Sequence, residues 1–407
     1  MASTSMRTYE RTHPWITFSL KELHRSPSPE AWGLLGECQS KCEHIAGVPL
    51  LPSVAKRLHL LYLIKGIKGT TAIEGNTLSE DEIHRFLEGK LDLPPSREYL
   101  KQEVENVVNG CRFVWDQLAS GNALALNADT LKHLNRIVLN RLKLDDDILP
   151  GEIRRYSVGV LRYRAAPAED CEYLLDRLGA WLSGSDFTAP PTLTVAGAIV
   201  KAIIAHLYFA WIHPFGDGNG RTARLLEFYI LLTSGVPTPV AHLLSNHYNL
   251  TRAEYYRQLD YASKSGGRIT PFLQYAAQGL LDGLRSQIAE IRESQIEIMW
   301  RYYVHESFRD KKSLTDKRRR DLVLGLSNME RPVPLSKLPE VNVQTIEAYH
   351  GKGRMTLARD LAELAKMELI KKEPDGYRAN KDIILAFLPD RASAGRLLPI
   401  PKDQTDA

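Results

Sequence analysis

The chain has 407 residues, of which 43% are hydrophobic and 25% charged, and its formal net charge at pH 7 is only +4. This composition predicts a globular protein with two or three domains, and the small charge gives no general case for binding nucleic acid or membranes. Four cysteines, Cys38, Cys42, Cys111 and Cys171, form no CxxC pair or other disulfide or metal pattern. They predict a reduced, cytoplasmic setting, with Cys38 and Cys42 packing on one helix face.

Helical periodicity dominates the N-terminal part of the chain. The opening residues MASTSMRTYERTHPW are polar and lack an apolar core, so no signal peptide is expected. The stretch SVAKRLHLLYLIKGIKGTTAIEGN predicts a helix that starts near Ser53 and ends at Gly75 and Asn76. Ser79 and Glu82 then form a capping-box pattern for the next helix.

The middle of the chain combines an extended segment with a very apolar one. LPGEIRRYSVGVLRYRAAPAED breaks the helical pattern, and Tyr156, Val158 and Val160 with their flanking glycines predict a short hairpin or flap. The longest apolar run, LTVAGAIVKAIIAHLYFAWI, is interrupted by a lysine and a histidine. It therefore predicts a buried helix and not a membrane span, and no membrane partner is expected.

Beyond position 271 the chain changes character. Leucines and isoleucines spaced by three and four predict a long amphipathic helix that leads into a charged linker, FRDKKSLTDKRRRD. From 333 to 380 the pattern predicts helix, turn and helix, the last from Met355 to Ile370, followed by two short strands around Pro374. That order is typical of a winged helix. The tail from Arg391 to Ala407 is expected to be disordered.

The segment HPFGDGNGRTAR, 213–224, carries the densest chemistry in the chain. If one helix ends at Ile212 and the next begins near Arg221, the glycines between them form a turn whose N–H groups can bind an anion. Asn219 adds a side-chain amide donor. Arg221 and Arg224 lie on one helix face and provide two forks for phosphate oxygens.

Two further residues of this segment suit group transfer from a nucleotide. Asp217 is a hard oxygen ligand for Mg²⁺ that bridges phosphates. His213 is a base whose ordinary pKa, about 6.5, suits removal of a proton from a hydroxyl nucleophile. Phe215 is expected to anchor the segment in the core. The set predicts metal-assisted transfer of part of a nucleotide to an alcohol.

Other interpretations of the glycines explain less. A dinucleotide-binding turn needs a preceding strand, whereas a helix is predicted here. An EF-hand loop counted from Asp217 needs glycine at Thr222 and glutamate at Phe228, and a Walker-A lysine is missing. A plain glycine turn between two buried helices remains an alternative, but it does not account for the clustered histidine, aspartate and arginines.

HPFGDGNGRTAR resembles the signature of the Fic family, H-x-F-x-[DE]-G-N-G-R-x-x-R. Every specified position is matched, by His213, Phe215, Asp217, Gly218, Asn219, Gly220, Arg221 and Arg224. The resemblance extends to about position 285, roughly two thirds of the chain. It implies a mainly α fold, a Fic-type helical bundle with a short β-hairpin flap, to which the C-terminal winged helix-turn-helix is added. It also implies protein adenylylation, the transfer of AMP from ATP to a Ser, Thr or Tyr hydroxyl of a target protein, which could include the chain itself.

The resemblance also implies roles for individual residues. His213 would be the general base and Asp217 the Mg²⁺ ligand. The residues implied to bind ATP are Gly218, Asn219, Gly220, Arg221, Thr222, Arg224 and Tyr256. Tyr255 and Tyr256 would wall the nucleotide base, although packing tyrosines on a helix explain them equally well. The flap residues Tyr156, Val158, Val160 and Arg162 would pair with an extended target segment by strand addition.

Two features bear on which reaction the site performs. Doc-type relatives, which phosphorylate their target, carry a lysine where this chain has Gly220, so glycine favours attack at the α-phosphate. Another relative transfers phosphocholine with the same signature.

TTAIEGN, with Thr70, Glu74 and Gly75, resembles the inhibitory motif [ST]-x-x-x-E-[GN] of the class with an N-terminal inhibitory helix.

That resemblance predicts that Glu74 forms a bidentate pair with Arg224 and takes the place of the ATP γ-phosphate, which leaves the α-phosphate out of line. The alternative is a solvated carboxylate at a helix end. In some relatives the same glutamate orients a water that removes AMP, so deadenylylation remains a second interpretation.

The C-terminal module has candidate contacts for DNA, but its charge is mixed. Basic or polar residues lie near the recognition helix and wing, namely Arg354, Thr356, Arg359, Lys371, Lys372 and Arg378. Asp360, Glu363, Glu368 and Glu373 dilute the positive charge. Protein docking, a homo-oligomer and a DNA-binding regulator with an inactive nucleotide site therefore stay open.

The expected organisation follows from these patterns. It consists of an N-terminal helical region (1–110), a Fic catalytic domain (111–290), a helical linker (291–320), a winged helix-turn-helix domain (321–390) and a tail (391–407).

Overall fold

A computed structural model describes residues 6–25, 28–121, 124–160 and 163–385. Helices dominate the described residues, and their strands form two two-stranded antiparallel sheets. The mainly α fold predicted from the sequence is confirmed. Contacts divide the chain into two compact units, Met1–Ile288 and Ala289–Ala407.

The first unit is a bundle of helices with one hairpin. Its helices are α1 Thr8–Thr12, α2 Lys21–Arg25, α3 Pro29–Gly47, α4 Pro52–Ala72, α5 Glu80–Leu87, α6 Glu98–Ala119, α7 Ala128–Val138, α8 Cys171–Leu182, α9 Thr194–Ile212, α10 Asn219–Thr233, α11 Thr238–Ala241, α12 Leu243–Leu250 and α13 Arg252–Lys264. The next helix, α14, runs from Thr270 to Ser307 and continues into the second unit. The hairpin strands are β1 Gly159–Val160 and β2 Tyr163–Arg164.

Helix α9 is the centre of this unit. It packs against α10, α3 and α8, and nearly all of its side chains are buried. The segment Pro191–Ile212 is long and apolar enough to cross a membrane, but 83% of an 18-residue stretch within it is buried inside the protein. The prediction of a buried helix is confirmed, as is the packing of Cys38 and Cys42 on one face of α3.

Helix α4 closely matches its predicted bounds and lies tightly against α12. A Cβ atom on Gly69 would come within 2.7 Å of the Ser245 carbonyl oxygen, so glycine is needed for this approach. Past the end of the helix, Gly75 has φ 103°, a backbone conformation that favours glycine. The predicted capping box of α5 is confirmed: the Ser79 hydroxyl accepts from the N–H of Glu82, whose carboxylate accepts from the N–H of Ser79.

The hairpin lies where the sequence predicted a flap. Gly159 pairs with Arg164 and Val160 with Tyr163, and the ladder is extended by the N–H of Ala165, which donates to the Val158 carbonyl at 3.0 Å. Arg162, one of the predicted target-contacting residues, lies outside the described residues.

The described part of the second unit includes the end of α14, three further α-helices and a hairpin. The helices are α15 Leu314–Ser327, α16 Val343–Tyr349 and α17 Arg354–Lys366, and the strands are β3 Ile370–Glu373 and β4 Gly376–Ala379. Val333 pairs with Tyr377 as a further bridge beside β4. The core includes Trp300, Phe308, Leu322 and Leu364, so part of the segment expected to be a linker packs inside this unit.

The predicted helix Met355–Ile370 is too long. Helix α17 ends at Lys366, Glu368 takes a left-handed φ of 58°, and the N–H of Leu369 donates to the Leu364 carbonyl. Ile370 then begins β3. The apolar spacing continues through this turn because Leu369 and Ile370 also face the core, and periodicity alone therefore did not show the break. The predicted tail, 391–407, lies outside the described residues.

The structure also corrects the role of Asp360. The sequence places it among acidic residues that dilute a basic surface, but its side chain is buried. Its two carboxylate oxygens accept from the Nε atoms of Arg318 and Arg319, each at 2.8 Å, and one of them also accepts from the Tyr349 hydroxyl. Asp360 therefore joins α17 to α15 inside the unit.

Candidate active site

The predicted catalytic segment, 213–224, starts with a tight turn between α9 and α10, here named the catalytic turn (213–218). His213 caps α9 in the left-handed conformation, with φ 47° and ψ 60°, and its N–H donates to the Phe209 carbonyl at 2.8 Å. Gly218 also has a positive φ, 75°, and α10 begins at Asn219. The helix thus starts two residues before the predicted position. The N–H groups of its first turn have no partner within the helix, which is the condition for an anion site at a helix N-terminus.

The Asn219 side chain holds the turn together. Its Oδ1 accepts from the Phe215 N–H at 3.0 Å, and its Nδ2 donates to the Phe215 carbonyl at 2.8 Å. The phenyl ring of Phe215 is buried, as the sequence analysis expected of an anchor. The amide that was predicted to donate to phosphate is therefore engaged with the backbone of the turn.

The two arginines of α10 are buried, and each already has an acidic partner. Arg221 Nη2 lies 3.2 Å from both carboxylate oxygens of Asp217, and its Nη1 lies 3.4 Å from Glu103 Oε1. Arg224 Nη2 donates to Glu74 Oε1 at 2.5 Å and to the Thr70 carbonyl at 3.0 Å. The phosphate-binding groups predicted from the sequence are thus occupied by carboxylates of the same chain.

The Glu74–Arg224 pair joins the end of α4 to α10. One carboxylate oxygen meets one guanidinium nitrogen, so the pair is not the bidentate one that was predicted. The Nε and Nη1 atoms of Arg224 are buried without a hydrogen-bond partner among the described residues. Burial alone would raise the pKa of Glu74, but the Arg224 guanidinium brings that pKa below its ordinary value. The carboxylate is therefore charged at neutral pH.

Gly220 leaves room for this pair. A Cβ atom at position 220 would collide with Glu74 Oε1 and would lie 3.0 Å from Arg224 Nη1. A larger residue at this position would have to displace the carboxylate. Gly220, the position at which the Doc-type relatives carry lysine, therefore also determines whether Glu74 can approach α10.

The residues after Glu74 tie the end of α4 to α6. Asn76 Nδ2 donates to the Leu100 carbonyl at 2.9 Å and to Glu103 Oε2 at 2.8 Å. Glu103 also faces Arg221, and burial raises the pKa of its carboxyl group. The segment 74–76 is thus linked to both arginines, directly through Glu74 and indirectly through Glu103.

Asp217 is the candidate ligand for Mg²⁺. Its side chain is 42% exposed, and its oxygens accept from the Gly218 N–H and from Arg221. Among the described residues, no group of three or more histidine, cysteine or acidic residues could hold a metal by itself. Mg²⁺ at nucleotide sites is commonly bound by one or two carboxylates together with phosphates, so a single accessible aspartate beside the anion site fits such a metal.

A cavity of about 610 Å³ opens in front of His213. Its lining includes Glu74, Tyr163, His213, Gly220, Arg224, Tyr255 and Tyr256. Tyr255 is buried, and its hydroxyl lies 2.8 Å from His206 Nε2. Tyr256 is partly exposed at the wall. The cavity therefore brings the predicted base, one arginine and both tyrosines together, with the dimensions of a small-molecule site.

Asn135 of α7 supports the turn from behind, and nothing in the sequence pointed to it. Its Nδ2 donates to the Asp217 carbonyl at 3.0 Å and lies 3.3 Å from Thr222 Oγ1, while its Oδ1 accepts from the Gly151 N–H. Thr222 is fully buried, and its hydroxyl donates to the Gly218 carbonyl. The Thr222 side chain therefore supports the turn, and its predicted part in ATP binding stays a prediction.

The flap is anchored on the end of α9. The Tyr163 hydroxyl donates to the Trp211 carbonyl at 2.6 Å, and a Cβ atom on Gly216 would lie 2.7 Å from the Tyr156 hydroxyl oxygen. The predicted flap residue Tyr156 thus lies beside the catalytic turn, whereas Val158 lies in the hairpin ladder. Tyr163 was not singled out in the sequence, because an isolated tyrosine in a short strand carries no signal of its own.

His213 is held in an environment that favours the neutral imidazole. Burial, followed by the positive charge of Arg154, lowers its pKa to about 4, although Glu74 and Asp217 act in the opposite direction. At neutral pH the ring can therefore accept a proton. Arg154 itself was not singled out in the sequence analysis.

Comparison with known proteins finds relatives of this chain. The model of the Fic/DOC family matches residues 125–231. Protein adenylyltransferase fic-1 of Caenorhabditis elegans is 30% identical over 289 residues, which cover 71% of this chain and 51% of that protein. Protein adenylyltransferase Fic of Culex quinquefasciatus is 28% identical over 316 residues, 77% of this chain and 52% of that protein. The chain spans about half the length of these relatives.

Solved structures show the same fold. A Fic family protein from Desulfovibrio desulfuricans G20 aligns with a TM-score of 0.54 at 22% identity, over 87% of this chain and 97% of the other. A fragment of Fic-1 from C. elegans aligns with a TM-score of 0.53 at 27% identity, over 65% of this chain and 73% of the fragment. With the signature complete and the fold shared, residues 125–231 form a domain of the Fic/DOC family.

Proposed function

We propose that the chain is a protein adenylyltransferase, which transfers AMP from ATP to a Ser, Thr or Tyr hydroxyl of a target protein. The observation that carries this proposal is the cavity in which His213 lies with Gly220 and Arg224 at the start of α10. A basic group, a helix N-terminus and a buried guanidinium with unpartnered nitrogens are the components that a nucleotide triphosphate and a hydroxyl require.

The proposed step is an in-line displacement at the α-phosphorus. The hydroxyl oxygen forms a bond to the α-phosphorus, and the bond between that phosphorus and the oxygen bridging to the β-phosphate breaks. Pyrophosphate leaves, and the proton of the hydroxyl passes to the imidazole of His213. The low pKa of His213, about 4, keeps the ring neutral and ready to accept that proton.

Mg²⁺ would be held by Asp217 and would supply positive charge to the phosphates. The protein residues supply the alignment: Arg224 would bind the terminal phosphate, and the first turn of α10 would bind the phosphates nearer the sugar. The cavity walls at Tyr255 and Tyr256 would hold the base. Most of the catalytic effect at such a site comes from position and electrostatics.

The resting state is proposed to be inhibited. The Glu74 carboxylate is the acidic partner of Arg224 in the structure, and it competes with a terminal phosphate for the same guanidinium. With Arg224 occupied, a bound triphosphate would be shifted and its α-phosphate would leave the line of attack. Loss of Glu74 is therefore expected to activate the enzyme.

Removal of AMP from a modified target is a second candidate. Glu74 lines the same cavity as His213, so a carboxylate and a neutral imidazole face one volume. Such a pair could position a water against a phosphodiester. Transfer is favoured because the chain is similar to proteins named protein adenylyltransferase.

The test is intact-mass spectrometry after incubation with Mg·ATP. Glu74→Gly is expected to gain one AMP per modified site, wild type is expected to gain less, and Glu74→Gly combined with His213→Ala is expected to gain none. Glu88→Gly is the matched control, because Glu88 is also a glutamate at a helix end but its described ionic partners, Lys90 and His84, lie at the surface. A phosphate-sized gain would indicate kinase chemistry instead. No gain on the chain or on added candidate targets would contradict the proposal.

A further inference from the structure

Arg154 is a buried cation without a described acidic partner. It lies on the segment between α7 and the hairpin, and only 4% of its surface is exposed. Its described side-chain hydrogen bonds go to backbone carbonyl oxygens and to one cysteine sulfur. A buried guanidinium is costly unless its donors are satisfied, so this arrangement requires a structural or functional reason.

The carbonyls that Arg154 contacts belong to three parts of the site. Nε donates to the His213 carbonyl at 2.8 Å, and Nη2 lies 3.5 Å from the Ile212 carbonyl. Nη1 donates to the Tyr156 carbonyl at 2.6 Å, and Nη2 also donates to the Ala166 carbonyl. Tyr156 precedes the hairpin and Ala166 follows it. One side chain therefore connects the end of α9, the proposed base and both ends of the flap.

The position also matches the electrostatics of a helix end. The carbonyls of Ile212 and His213 lie at the C-terminus of α9, where the last carbonyls of a helix lack intrahelical partners and carry partial negative charge. A guanidinium satisfies several of them at once because its donors are arranged in a rigid fork. The backbone adds a further tie, since the Arg154 N–H donates to the Pro214 carbonyl at 3.0 Å.

We propose that Arg154 is a positioning residue for the transfer reaction, which holds His213 in its left-handed conformation and fixes the flap against it. The proposal rests on the proposed function of the site. Left-handed φ is unfavourable for a residue with a side chain, so His213 needs support from its surroundings. Arg154 provides that support through the carbonyl of the same residue.

The charge of Arg154 has a second effect, on protonation of the base. The charged groups that act on His213 are Arg154, which lowers its pKa, and Glu74 and Asp217, which raise it. Burial is the largest cause and also lowers it. Replacement of Arg154 by an uncharged residue is therefore expected to raise the pKa of His213. Replacement by lysine, which keeps the positive charge but changes the shape of the side chain, is not expected to raise it.

The experiment separates charge from shape with Arg154→Met and Arg154→Lys, in the full chain and in the Glu74→Gly background. The pKa of His213 is measured by NMR with ¹³C-labelled histidine, and its signal is assigned with His213→Gln. Arg154→Met is expected to raise this pKa. Arg154→Lys is expected to keep it, but to lower kcat for AMP transfer about 100-fold with little change in KM for ATP, because an ammonium cannot bridge the same carbonyls.

Asn135→Ala is the matched control for loosening of the turn. Asn135 also bonds to the backbone of the turn, at Asp217, but it is uncharged, and its described hydrogen bonds go to Asp217, Thr222 and Gly151. The Asn135→Ala variant is expected to leave the pKa of His213 unchanged. An unchanged pKa in Arg154→Met, or Arg154→Lys with the parent kcat, would overturn the proposal.

Two further outcomes are also decisive. If Arg154→Met does not fold, the kcat and KM of Arg154→Lys decide: a loss confined to kcat supports the positioning role, and a loss of thermal stability alone contradicts it. If no variant, including the parent, transfers AMP, the proposed function fails. The NMR titration still decides whether Arg154 controls His213.

Discussion

Replacement of Glu74 by glycine tests the central contact of the site. The side chain of Arg224 is 1% exposed and that of Glu74 is 29% exposed. Without the carboxylate, the described hydrogen bonds of the Arg224 guanidinium reduce to one, to the Thr70 carbonyl. A buried charge is then left without a counter-charge, and the folded state loses stability.

The expected loss in the free energy of unfolding of Glu74→Gly lies between two limits. A hydrogen bond to a charged group contributes about 1.5–3 kcal/mol, and breaking a fully buried ion pair costs about 3–5 kcal/mol. Because Glu74 is partly exposed and water can enter the cavity, we expect the lower range, about 1.5–3 kcal/mol. With roughly 2 °C per kcal/mol for a large unit, Tm should fall by about 3–6 °C.

The assay is thermal denaturation of wild type and Glu74→Gly, with and without Mg·ATP. ATP at about 100 times its Kd stabilises a protein by about 2.7 kcal/mol, so the variant should recover most of its loss. Wild type should gain less, because Glu74 competes for Arg224. Glu88→Gly removes a carboxylate whose described ionic partners, Lys90 and His84, lie at the surface, and it should leave Tm unchanged. Equal melting of wild type and Glu74→Gly, with an equal gain from ATP, would refute the proposed competition.

Three other predictions concern the base, the metal and the second unit. The pKa of His213 is lowered to about 4, and the base acts when it is neutral. The value of kcat/KM should therefore stay level as pH falls through 6.5 and decline only near pH 4–5. A decline centred at pH 6.5 would contradict the lowered pKa. Asp217→Asn should raise the Mg²⁺ concentration needed for half-maximal transfer, whereas an unchanged requirement would exclude Asp217 as the ligand. Asp360→Asn should destabilise the second unit by about 3–5 kcal/mol in urea denaturation, because Arg318 and Arg319 would lose their buried counter-charge. Arg318 and Arg319 hold the pKa of Asp360 below its ordinary value despite burial. The contribution of Asp360 to the stability of the folded unit should therefore be present above pH 4 and be lost as the solution becomes more acidic. An Asp360→Asn variant as stable as wild type at neutral pH would contradict the role of this ion pair.

Local sequence patterns predicted much of the fold and the residues of the catalytic turn. The periodic helices α4 and α9, the capping box at Ser79 and the hairpins near 159 and 374 all follow from spacing or turn chemistry. They are local, because each depends on residues within a few positions of one another. The end of α17 is the exception, since the apolar pattern continued through a left-handed turn at Glu368.

The sequence by itself determined which residues form the catalytic turn, because they lie within one short motif. The opposition of Glu74 to Arg224, which spans 150 positions, was implied only by the resemblance to the inhibitory motif. Only the tertiary structure decided how they are held. Arg154 meets His213 across 59 positions, and Asn135 meets Asp217 across 82. Glu103 joins Asn76 to Arg221. Isolated polar residues have no local pattern, and their partners are set by packing of helices that are distant in the chain.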